Sequence, residues 1–348
     1  MVEFTACKCS PTPRPANGGL ASMYAPPSRG RLRQTVPHCY FLERPIPHHR
    51  PPYSHVVIVA HLSVIEPVRL HFNGGRATET DMKNVLLLIH DDAGQEARFQ
   101  AALDLARALS GHLTCLDVVE IPVLIGDDYL MADVGVVLMA EARDREAENR
   151  GRIKARLAVE DVSWDWKDAT GDIARLLEVE AGLADVIVLN TEFAEHEPTD
   201  MRAIVSDVVM RAGKPILAVP QGTRSVDTGG HVLIAWNGAP AIANALHAVT
   251  PLLALAQGVT IVEIGKIVGP PAEEAAAYLS RHGIHARIDR DVPLVWTVGG
   301  ALLDACRDRL PAYCVISAYG HSRLRERLFG GVTRRMLAES PVPLLLGH

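Results

Sequence analysis

The chain has 348 residues, a hydrophobic content of 48% and a formal net charge of -6. That length holds two domains with cores of useful size, and the acidic balance argues against a nucleic-acid partner. No apolar run reaches the ~18 residues of a membrane span. The six cysteines show no metal-ligand spacing beyond Cys7 and Cys9, which have no partner cluster. Cys115, Cys306 and Cys314 sit in apolar surroundings and read as buried free thiols of a reducing compartment. The start lacks a basic segment followed by a sustained apolar one, so the cytoplasm is the default location.

Residues 1–81 hold nearly half of the 23 prolines and six of the fifteen histidines, and arginine outnumbers acid there. Such a segment cannot bury enough apolar area to offset chain entropy, so a disordered Pro/His/Arg-rich extension is expected. His48-His49 and His55 read as parts of a solvated tail. Met82 stands directly before a well-formed first strand and is the expected true start, which mass spectrometry of the native N-terminus would decide.

From Met82 on, strands alternate with helices, the pattern of a parallel sheet covered on both faces. The predicted elements of the first repeat are a strand over Val85 to Ile89, a helix over Glu96 to Leu109 stopped by Gly111, and a strand over Leu113 to Val118. A long helix over Val136 to Leu157 follows, then a short strand over Val162 to Trp166 and a helix to Ala181 capped by Gly171-Asp172. A strand over Asp185 to Leu189, a helix over Met201 to Arg211 and a strand over Pro215 to Val219 complete it. A polar, glycine-rich linker runs through 222–230. The series then repeats: strand Val232 to Trp236, helix Ala241 to Leu255, strand Val259 to Ile264, a shorter helix Pro271 to His282, and strand His285 to Arg290. Helix Val298 to Arg309, strand Tyr313 to Ser317, a helix through Ser340 and strand Pro343 to Leu346 end the chain. The prediction is two tandem, doubly wound, five-stranded parallel-sheet domains, residues 82–221 and 231–348.

Near the C-terminus, Ser317-Ala318-Tyr319-Gly320 ends a strand, and Gly330-Gly331-Val332-Thr333 opens a helix. Nine residues, His321 to Phe329, lie between, and they hold Arg323, Arg325 and Arg327. A strand, a glycine-punctuated loop and a helix start suit an anion, because unpartnered N–H groups converge there and the helix dipole favours negative charge. The other reading of the stretch is a helix N-terminus with a flexible approach loop.

This stretch, with the order of elements across two repeats, resembles the universal stress protein family over residues 82–348. The family's ATP-binding branch carries Gly, two residues, Gly, nine residues, Gly, then Ser or Thr. Here Ser317 stands for the first glycine and Gly331 for the hydroxyl residue, with Thr333 as the nearby hydroxyl. The resemblance implies that ATP, with magnesium, lies over Ser317, Gly320, His321, Arg323, Gly330, Gly331 and Thr333. It implies that the nucleoside meets Asn237 and Gly238, where the family usually has Asp-Gly, and that Ile264 touches the base. It also implies that the two units pair through their last strands as an intramolecular pseudo-dimer, which can dimerise again.

Asn237-Gly238 equally reads as a favoured turn, and Ile264 as core. In the first repeat Asp91-Asp92 keeps acid at the nucleoside position, or is a solvated turn or cap. Asn190-Thr191-Glu192-Phe193 is followed by Glu195, Glu197 and Asp200, carboxylates that would repel a triphosphate; this copy is expected to have lost nucleotide binding. A receiver-domain reading of His90-Asp91-Asp92 and Lys214-Pro215 fails, because the strand that should end in Asp ends in Leu189-Asn190. Trp164, Trp166, Trp236 and Trp296 read as core or ligand-edge packing. Arg143, Arg145, Arg150, Arg152 and Arg156 read as a solvated helix face. No Gly-x-Ser-x-Gly, Walker loop or His-Glu-x-x-His occurs. The expected role is therefore binding, not catalysis, in a cytoplasmic stress response. Three readings stay open: nucleotide binding, a protein-interaction module without nucleotide, and slow ATP hydrolysis, for which no clear base is present.

Overall fold

The computed structural model describes residues 82–120, 131–191, 200–290, 297–318 and 331–348, all within one compact unit. The predicted extension 1–81 lies outside the described residues, as do Gly320, His321, Arg323, Gly330, Glu195, Glu197 and Trp296.

The first half runs β1 (Asn84–Ile89), α1 (Gln95–Leu109), β2 (His112–Val119), α2 (Met131–Leu157), β3 (Ser163–Thr170), α3 (Ile173–Glu180), β4 (Val186–Asn190), α4 (Met201–Arg211) and β5 (Ile216–Val219). The second half repeats the order: β6 (His231–Trp236), α5 (Pro240–Leu253), β7 (Gly258–Glu263), α6 (Ala272–Arg281), β8 (Ala286–Asp289), α7 (Val298–Arg309), β9 (Tyr313–Ser317), α8 (Gly331–Glu339) and β10 (Leu344–Gly347). One ten-stranded sheet results, in the order β3-β2-β1-β4-β5-β10-β9-β6-β7-β8. Every pairing within a half is parallel, and the halves meet where β10 runs antiparallel to β5, Leu345 opposite Leu217.

Successive strand residues point to opposite faces. Val85, Leu87 and Ile89 therefore join α1, α5, α6 and the end of α2 in one core, while Leu86 and Leu88 join α3, α4, α7 and α8 in the other. Each fully buried leucine contributes about 1.5–3 kcal/mol by leaving water. Local signals start several helices. Asp172 accepts the N–H of Arg175 at 2.8 Å, Asp200 those of Arg202 and Ala203, and Thr297 that of Gly300 at 3.1 Å.

Three elements differ from expectation. Strand β3 extends to Thr170, because all its residues pair with β2 from His112↔Ser163 to Val119↔Thr170. Helix α2 starts at Met131, earlier than the Val136 that composition suggests. The linker is not free: Val226 is buried and its N–H donates to Asp104 Oδ2 of α1 at 2.8 Å.

Candidate functional site

In open parallel sheets a crevice forms beyond the carboxyl ends of the strands, where the strand order reverses. Here that happens twice, between β1 and β4 and between β6 and β9.

In the first half the crevice is filled by the protein itself. Arg98 of α1 is fully buried, and its guanidinium bridges the two strand ends. Nε donates to the Leu88 carbonyl at 2.9 Å and Nη2 to the His90 carbonyl at 2.6 Å. Nη1 donates to Asp92 Oδ1 and to Asn190 Oδ1, both at 2.6 Å. Gly94 permits this closure: a Cβ there would lie 2.2 Å from Asn190 Nδ2. The start of α4, the counterpart of the predicted phosphate helix, is closed by Asp200. Of the three carboxylates expected to repel a triphosphate, Glu195 and Glu197 lie outside the described residues, and Asp200 caps the helix start, accepting the Arg202 and Ala203 N–H groups.

Helix α2 is clasped to the same edge. Arg150 pairs with the fully buried Asp117 at 2.7 Å and with Asp168 at 3.0 Å, and Arg152 pairs with Asp91 at 2.8 Å. Arg156 pairs with Glu96 and lies over the Phe99 ring. Gln95 and Asn149 exchange side-chain amide bonds at 2.7 and 2.8 Å. Only Arg143 and Arg145 of the predicted solvated face are exposed without such a role in view. His90 Nδ1 lies 2.9 Å from Glu146 Oε1 and 3.3 Å from the Val118 carbonyl. Burial opposes a charged imidazole, yet the Glu146 hydrogen bond and charge raise His90 above the ordinary histidine value. Burial would push Glu146 up, but the bond to His90 and its charge, with the Asp91 N–H, hold it below the ordinary carboxylate value. Burial pushes Asp117 up to about 6, and Arg150 offsets only part of that.

The second half has no counterpart of Arg98, since α5 opens with Pro240-Ala241-Ile242-Ala243. The register of β6 and β9, Val232↔Tyr313 to Ile234↔Val315, carries Trp236 level with Ser317. Ser317 is half-buried, and its carbonyl accepts the Thr333 hydroxyl at 3.5 Å. Gly331, the first residue of α8, is exposed, and among the described residues a Cβ there would meet nothing within 4 Å. Ser317, Gly331 and Thr333 are therefore together, at one helix start.

The residues expected at the nucleoside are engaged within the protein. Asn237 Oδ1 accepts the Ala239 N–H at 3.0 Å, and its carbonyl accepts the Val268 N–H at 2.9 Å. Trp236 Nε1 donates to the Pro270 carbonyl at 2.9 Å. Gly238 is buried at φ +75°, and a Cβ on Gly269 would lie 2.0 Å from its carbonyl oxygen. The main chain at 268–270 thus packs directly on Trp236, Asn237 and Gly238. Ile264 itself is 6% exposed and packs in the core with α7 and α8.

Sequence reasoning missed Arg98, Asp117 and Glu146, and placed Asn190 at the strand end without its partner. The available signal was a charge inside an apolar face: Arg98 lies between Ala97 and Phe99, and Asp117 between Leu116 and Val118, in elements otherwise read as core. Among the described residues no three His, Cys, Asp or Glu side chains converge to hold a metal ion, and no helix is long and apolar enough to cross a membrane.

No protein-family model and no curated protein matches the chain. Among solved structures it is similar to a universal stress protein from Archaeoglobus fulgidus DSM 4304, with a TM-score of 0.58 and 13% identity, over 76% of this chain and 96% of that one. It is also similar to the universal stress protein UspA from Lactobacillus plantarum, with a TM-score of 0.34 and 18% identity, over 39% of this chain and 96% of that one. The first of these likenesses assigns the fold, that of the universal stress proteins.

Proposed function

We propose that the chain is a cytoplasmic tandem universal stress protein whose second half binds a phosphate-bearing ligand, ATP or a related adenine nucleotide with magnesium. The observation that carries this reading is the contrast between the halves. One crevice is filled by Arg98 and its helix start is capped by Asp200, whereas at Gly331, the start of α8 near Ser317 and Thr333, no atom of the described residues would meet a Cβ within 4 Å. Unpaired amides at such a start favour phosphate. The role is binding, and a nucleotide there would bias which surface is offered to a partner.

The residues fit the phosphates better than the nucleoside. Trp236, Asn237 and Gly238 are engaged by the main chain at 268–270, so this reading assigns recognition to the phosphates. Calorimetry is expected to rank ATP above ADP, AMP and adenosine. The variant Gly331→Asp has room for its side chain and favours the helix dipole, so it should fold normally yet lose ATP through charge repulsion. Adenosine binding as tightly as ATP, or unchanged affinity in Gly331→Asp, would overturn the assignment. The Gly238–Gly269 crossing favours a second reading, an interaction module without nucleotide, and no heat with ATP at high micromolar concentration would select it.

A further inference from the structure

The edge of the first half holds buried ionisable groups that ligand binding does not use. They lie between α2 and the ends of β1, β2 and β3. Asp117 Oδ2 accepts Arg150 Nε–H, while its buried Oδ1 has no hydrogen-bond partner. Arg150 reaches across to Asp168 of β3. One turn earlier on α2, Glu146 is buried against His90. Beside His90 stand Asp91, paired with Arg152 of α2, and Asp92, paired with Arg98 of α1. Lys154 lies further along α2, over the Trp166 ring, and Glu120 at the end of β2 is itself engaged.

The charge balance of this cluster depends on two protons. With Asp117 neutral and His90 charged, four cations (His90, Arg98, Arg150, Arg152) face four carboxylates (Asp91, Asp92, Glu146, Asp168). With both protons gone, three cations face five carboxylates, of which Asp92, Asp117 and Glu146 are buried, where like charges repel more than in water. Opening α2 would hydrate Asp117 and Glu146 and relieve that excess. We propose that α2 is a proton-operated clasp: protons on Asp117 and His90 hold the helix against the sheet, and their loss loosens it.

The two groups act in the same direction. Asp117 has its closed-state value raised from 3.8 to about 6, so its contribution is fully present below 3.8 and is lost as pH rises through about 6. His90 is raised above 6.5, so its contribution is present below 6.5 and is lost as pH rises through the higher, closed-state value. Acidification therefore tightens this helix, the reverse of the usual effect on a salt-bridged carboxylate.

Hydrogen–deuterium exchange of the full chain, followed from about pH 5 to about pH 8 and corrected for intrinsic rates, tests the clasp. Residues 146–157 should gain protection as pH falls, by about tenfold and at most about a hundredfold, since two pKa units separate the open and closed states of Asp117. Helix α5, which carries no such cluster, should stay level. Asp117→Asn mimics the protonated acid and should keep α2 protected at about pH 8, leaving only the His90 step. Flat protection of α2 in folded wild type, an equal change in α5, or a wild-type profile in Asp117→Asn would each overturn the proposal. Should Asp117→Asn not fold, His90→Gln should remove the upper step alone, and an unchanged upper step would overturn the part assigned to His90.

Discussion

A guanidinium removed from water needs its donors met by the protein, and one removed from its partners leaves them stranded. Arg98 meets this condition through the carbonyls of Leu88 and His90 and the side chains of Asp92 and Asn190. Its role is to occupy a crevice that would otherwise admit a ligand or water. Arg98→Met keeps much of the volume but leaves the buried Asp92 charge without its guanidinium, with the Gly94 N–H on Oδ1 and no hydrogen-bond partner on Oδ2. Chemical denaturation should show a loss of about 3–5 kcal/mol. Adding Asp92→Asn should return part of it, because the buried charge is then gone. Equal stability of Arg98→Met and wild type would remove the bridging role. The local signal for Arg98, its place between Ala97 and Phe99, is weak, since a single arginine on a helix is ordinarily solvated.

At the scale of elements, the two halves spend the same βαβ unit differently. In the first half a long helix, α2, binds the sheet edge through ion pairs. In the second half the short α6 leaves room for the preceding loop to fold back over the β6–α5 turn. That crossing depends on glycine at both places. Gly238 has φ +75°, and a Cβ there would lie 2.6 Å from the Pro270 carbonyl oxygen. Gly238→Ala should therefore cost about 1–3 kcal/mol from backbone strain alone, before the clash is counted. Thermal unfolding measures it, and an unchanged midpoint would mean that the loop does not hold this path. Asn-Gly announced the turn in the sequence. Its covering by residues some thirty positions later did not, because contact between two loops leaves no periodic pattern.

At the scale of the molecule, the seam between β5 and β10 makes one sheet of two halves. Leu217 and Leu345 are fully buried on either side of it, and the pairing also satisfies the backbone of both strands. A fragment of residues 82–221 would expose the β5 edge together with apolar surface. Sedimentation should find it associated, as a dimer or larger, and a folded monomer would show that the seam is dispensable. The sequence by itself determined the succession of strands and helices, their approximate bounds and the repeat, because the continuous apolar run of Val85 to Ile89 and the helical spacing of α1 are local consequences of burial. Only the tertiary structure decided what fills the first crevice. Arg98 finds Asn190 from a distant strand, and Gly238 meets Gly269 across a loop; such meetings are set by where the sheet brings chain ends together, and no short window of residues encodes them.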